Sequence, residues 1–178
     1  MKQHVAFLRA INVGGRTVKM DALHRLFCEI GYWDAKTFLA SGNVVFSYAG
    51  EDLRQVETSL EARMQKTFGF ETVVMVRTMD EVKALATYEA FSPDEVEQAG
   101  AYNLAFLKDA IPSDAVDKLV GLGNDIDHLH AYARHIYWLC AVKQSESQFS
   151  NKVLEKTLGV SSTIRGMSTI NKLISRFG

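Results

Sequence analysis

Cysteine is scarce in this chain, with two residues, Cys28 and Cys140, among 178. They lie far apart in apolar patterns, which excludes a disulfide framework and fits buried, reduced thiols in a reducing compartment. Proline also occurs only twice. Pro93 falls in a stretch, 89–101, rich in Glu, Ala, Ser and Gly that reads as a linker. Pro112 suits the first turn of a helix ending before Gly121. An excess of charge of one sign is absent too: the formal net charge is -1, so no global basic field recruits nucleic acid. No apolar run approaches the roughly 20 residues of a membrane span. Arg9 and Arg16 interrupt anything that could serve as the apolar region of a signal peptide. The expected location is the cytoplasm, with no membrane partner.

What is present is an apolar, periodic pattern, 47% hydrophobic and 23% charged, as in globular domains. Val5-Ala6-Phe7-Leu8 reads as a buried central strand. Met20, Leu23, Phe27 and Ile30 fall at helical spacing, with Gly31 as the stop and Thr17 as a candidate cap. Thr37–Ala40 and Val44–Ser47 flank Ser41-Gly42-Asn43 as a hairpin. Leu53, Val56, Leu60 and Met64 predict a second helix, closed near Gly69. The β-branched run from Thr72 to Val76 predicts a fourth strand. Thr78-Met79-Asp80-Glu81 has capping-box spacing and opens an appended helix.

Past residue 101 the order restarts. Leu104-Ala105-Phe106-Leu107-Lys108 echoes Val5-Ala6-Phe7-Leu8-Arg9, and Ile164-Arg165-Gly166-Met167 echoes Val76-Arg77-Thr78-Met79. Ile126–Tyr132 and His135–Cys140 alternate as a hairpin, and Phe149, Val153, Leu154 and Leu158 predict a helix ending at Gly159. The expected fold is α+β: tandem, pseudo-duplicated ferredoxin-like (split βαβ) halves with antiparallel sheets, each followed by an extra helix. The halves are placed at 1–90 and 91–178.

In a split βαβ sheet the first strand lies between the third and fourth, so the loop after strand one meets the turn before strand three. That brings Arg9, Asn12, Gly14, Gly15, Arg16 and Lys19 beside Ser41 and Asn43. Glycine amides at a helix start, with arginines able to grip an anion through two hydrogen bonds, suit a phosphate or carboxylate. The loop has neither P-loop nor Rossmann spacing, and the bland reading is a tight turn with Arg9 paired to Glu51 or Asp52.

Other constellations are weaker. His128, His130 and His135 share one hairpin face with Tyr132 and Tyr137. Zinc would need a fourth donor that this face lacks, and base stacking would need a basic stripe that the sequence lacks. A face packed between the halves is the bland reading. Ser41 has no histidine fixed beside it, and a thiol mechanism would need cationic neighbours, whereas Cys28 falls on a helix and Cys140 amid apolar residues. Glu51, Asp52, Asp94, Glu95 and Glu97 read as solvated charge. No motif calls for a cofactor.

Val5–Gly15 with Val18-Lys19-Met20, Ser41–Phe46, Leu158-Gly159-Val160 and Thr163-Ile164-Arg165 resemble the bacterial family called domain of unknown function 1697. The resemblance covers nearly the whole chain and implies a two-part α+β fold in a bacterial cytoplasmic protein, with no reaction attached. It implies that Arg9, Asn12, Gly14, Gly15, Lys19, Ser41, Asn43 and Arg165 are the family's recurrent polar and glycine positions. The chain departs from the family pattern at Gly166-Met167-Ser168, where Asn-Trp and a polar residue are usual, and at Ala10, usually glycine. The expected function is binding of a small anionic ligand at the Arg9–Lys19 loop. The alternatives are an enzyme acting on a phosphorylated metabolite and a nucleic-acid-binding module. Oligomeric state is not legible.

Overall fold

In a computed structural model describing residues 1–178, the first half runs β1 (Lys2–Leu8), α1 (Met20–Glu29), β2 (Lys36–Phe38), β3 (Asn43–Tyr48), α2 (Leu53–Phe68), β4 (Val74–Thr78) and α3 (Met79–Thr87). Then come α4 (Pro93–Gln98), β5 (Ala101–Leu107), α5 (Val116–Val120), β6 (Asp127–Tyr132), β7 (His135–Cys140), α6 (Asn151–Leu158), β8 (Ser162–Gly166) and α7 (Met167–Phe177). Each half forms a four-stranded antiparallel sheet, ordered β2-β3-β1-β4 and β6-β7-β5-β8. This is the split βαβ order expected from the sequence.

The halves repeat each other in detail. Leu8 N donates to Gly42 O at 2.8 Å and Leu107 N to Arg134 O at 3.0 Å. Arg9 N donates to Val73 O and Lys108 N to Ser161 O, both at 2.9 Å. Arg77 Nη1 reaches Val76 O and Arg165 Nη1 reaches Ile164 O, again both at 2.9 Å. The two echoes in the sequence are thus two copies of one hydrogen-bond pattern.

The central strands explain the unbroken apolar runs. Ala6 and Leu8 face α1 and α2, joining Leu23, Phe27, Leu60 and Met64 in one core. Val5 and Phe7, on the opposite face, are buried as well, so the strand shows a run and no alternation. Ala105 and Leu107 play the same part in the second core, with Trp138, Leu119 and Leu154. Compact units comprise Met1–Leu85 with Leu173–Gly178, and Ala86–Lys172. The end of α7 therefore belongs with the first unit, where Phe177 meets Phe38 edge-on at 5.8 Å, although sequence placed 91–178 together.

Two local expectations change. The 89–101 stretch is not a plain linker, because Ser92 and Glu95 form a reciprocal capping box that starts α4 at Pro93. The cap of α1 is Lys19, not Thr17, and no side chain caps it. Ala10 adopts φ +54, a left-handed conformation that favours glycine. Ala10→Gly is expected to raise the unfolding free energy by about 0.5–1 kcal/mol in urea titration, the relieved strain exceeding the entropy glycine adds to the unfolded chain. No helix is long and apolar enough to cross a membrane.

Candidate functional site

The loop leaving β1 is fastened at several points. Arg9 is half-buried; besides its N–H bond to Val73, its carbonyl accepts from Thr72 Oγ1 at 2.6 Å. Asn12 Oδ1 accepts from Val18 N at 2.7 Å, and Asn12 Nδ2 donates to Ala40 O at 2.7 Å. This one side chain pins the end of the loop to its start and ties both to the β2–β3 turn. Val18 is buried beneath it. The convergence of segments about 30 positions apart, expected from topology, is made by Asn12 and by the Leu8–Gly42 bond.

Between the pins the loop is displayed. Gly14, Gly15, Arg16, Thr17 and Lys19 are all exposed. Gly14 and Gly15 have φ +61 and +83, and no atom lies within 4 Å of where their Cβ atoms would be. Their backbone is therefore bare on the side a Cβ would occupy, and their conformation is one other residues adopt at a cost. Lys19 stands at the uncapped start of α1, where the first helical amides point outward. Arg16 donates to Glu71 O at 3.3 Å and lies over the Phe70 ring at 4.8 Å, which holds its guanidinium beside the loop.

The turn opposite is built to keep its shape. Asn43 is buried at the start of β3; its Nδ2 donates to Phe38 O at 2.9 Å and to Ser41 Oγ at 3.0 Å. Ser41 is exposed. Leu39, bulky and 51% exposed, takes φ +58. Ala10, Gly14, Gly15, Leu39 and Gly42 put positive φ values at this one corner; glycine takes them freely, so the strain sits at Ala10 and Leu39. The Phe70–Val73 segment was not anticipated as part of it. The sequence placed Thr72 and Val73 at the start of the fourth strand, whereas β4 begins at Val74 and the two residues before it fasten the loop at Arg9.

The family described as "Protein of unknown function (DUF1697)" matches residues 1–137. The chain belongs to this DUF1697 family. The match includes every residue of the corner and stops short of the tail. A solved structure, a conserved bacterial protein from Streptococcus pneumoniae, has TM-score 0.73 and 20% identity, covering 99% of this chain and 98% of that one. At that identity the likeness is one of fold. No curated protein matches.

Arg165 lies beyond the DUF1697 match and in the second unit. It is buried on β8, where Nη1 donates to Thr163 Oγ1 at 2.7 Å and to Ile164 O. Desolvation pulls its guanidinium down to about 10, still charged at neutral pH. Of the departures that follow it, Gly166 closes β8 and Met167 opens α7. Arg165 thus serves the second half as Arg77 serves the first.

The histidine hairpin forms in the expected register, with His128 opposite Leu139, His130 opposite Tyr137 and Tyr132 opposite His135. It is not an open stacking platform. His135, Tyr137 and Leu139 are buried, and Tyr88 lies over the face, 4.3 Å from Tyr132 and 5.4 Å from Tyr137 between ring centroids. Its hydroxyl is 3.0 Å from His130 Nε2. Burial drives the Tyr137 hydroxyl far above its ordinary value, so it stays a neutral packing group. No group of three His, Cys, Asp or Glu side chains is arranged to hold a metal ion.

Proposed function

We propose that this DUF1697 protein binds a small anionic ligand, phosphate- or carboxylate-bearing, at the Arg9–Lys19 loop. The observation that carries the reading is the open, left-handed Gly14-Gly15 backbone, flanked by exposed cations and an uncapped helix start. Arg9, Arg16 and Lys19 neutralise the charge, and the Gly14 and Gly15 amides cradle it. Asn12, Ser41 and Asn43 hold the surrounding backbone in shape. The unpaired thiols Cys28 and Cys140 suit a cytoplasmic setting.

The test is a thermal-shift titration. Inorganic phosphate at ten times its Kd stabilises a binding-competent fold by about 1.4 kcal/mol, or about 3–6 °C for a chain of this size. Lys19→Ala and Arg9→Ala are expected to lose most of that shift while unfolding normally without ligand. A shift of the same size in both variants would remove the loop from the reading.

A further inference from the structure

Beyond the anion loop, the opposite end of β1 carries a second recess, about 20 Å away along the strand. It has a volume of about 470 Å³ and is lined by Lys2, His4, Tyr48, Glu51, Leu53 and Thr78, among others. That volume is within the range of small-molecule sites.

His4 is the unusual member. It is 2% exposed, yet it contributes to the wall. Its ring packs against Phe46 and Tyr48, with centroids 5.9 and 5.8 Å away. Nδ1 sits 2.9 Å from Lys2 O, and only a protonated Nδ1 can bond a carbonyl. Burial lowers the imidazole pKa, favouring the neutral form. The neutral ring with Nδ1–H leaves Nε2 as a lone-pair acceptor, and Nε2 has no hydrogen-bond partner in the protein.

Two opposite charges line the same recess, Lys2 and Glu51. Both are exposed, and neither forms an ion pair with the other or with any residue. A ligand with an ammonium and a carboxylate meets all three groups. The ammonium donates to His4 Nε2 and Glu51, the carboxylate faces Lys2, and Tyr48 and Leu53 offer an apolar wall.

We infer that this recess is a binding site for a small zwitterion of the α-amino-acid class, held between Lys2 and Glu51 with its ammonium on His4 Nε2. The inference does not rest on the anion loop.

The experiment is a thermal-shift and imidazole 15N NMR titration with each free α-amino acid at 10 mM. Acetate and ethylamine serve as half-ligand controls, and inorganic phosphate reports on the loop. At least one amino acid is expected to raise the melting temperature and move the His4 Nε2 resonance, with acetate and ethylamine doing neither. Lys2→Gln and Glu51→Gln, at exposed positions, are each expected to weaken that binding at least tenfold and to leave the phosphate response unchanged. The inference is overturned if no amino acid moves the His4 resonance. It is equally overturned if either variant binds as the parent does, or if acetate or ethylamine alone binds as well as the amino acid.

Discussion

Glu57→Ala is expected to lower the unfolding free energy by about 3 kcal/mol or more. Glu57 is buried on α2, and its Oε1 accepts from Val76 N at 2.8 Å. The same oxygen is 4.0 Å from Nη1 of Arg77, which is fully buried and also meets Glu81 at 3.3 Å. Truncation leaves an edge-strand N–H orphaned and weakens the compensation of a buried charge. One turn along, Glu61 accepts from Val74 N at 2.8 Å. The match is geometric: four residues of helix rise about 6 Å, close to the roughly 6.6 Å spanned by two residues of strand. Carboxylates at i and i+4 thus satisfy successive outward amides of β4, an edge that would otherwise invite strand pairing. The second half keeps the device in part, with Glu155 Oε1 accepting from Ser162 N at 2.7 Å. Glu57→Gln retains an acceptor, so its cost in urea unfolding should be clearly smaller. Equal, sub-kilocalorie losses for both would refute this account of the edge.

Gly42→Ala is expected to cost about 2–4 kcal/mol, the sum of left-handed strain and overpacking. Gly42 has φ +79, and a Cβ there would come within 2.8 Å of Ile11 Cδ1 and 3.1 Å of Leu8 Cβ. Gly14→Ala and Gly15→Ala meet no neighbour and should each cost only about 1–2 kcal/mol of backbone strain. Denaturant midpoints for the three variants make the comparison. One glycine is required by packing beneath the turn, and two are required only by conformation where the loop is bare. That contrast separates the scaffold of the corner from its displayed part.

Much of this was legible beforehand. Val5–Leu8 and Leu104–Leu107 announced central strands because both faces are buried. Gly69 and Gly159 marked helix ends because they take left-handed caps. The hidden parts depend on long-range bonds or on residues used against their preferences. Thr72 and Val73 join the corner through backbone partners more than 60 positions away, which no periodicity reports. Ala10 and Leu39 sit at positive φ, where their identities argue against it. Asn12 was legible only as a polar member of the corner, and the bonds by which its amide fastens Val18 and Ala40 follow from no spacing. The His128–His135 face was correctly assembled, but Tyr88, from outside the hairpin, covers it.

The most direct test of the anion loop is a backbone amide NMR titration with inorganic phosphate. The Gly14 and Gly15 amides, with the first turn of α1, are expected to shift in a saturable way that Lys19→Ala weakens. Unmoved Gly14 and Gly15 resonances at saturating phosphate, or shifts confined to another part of the molecule, would contradict it.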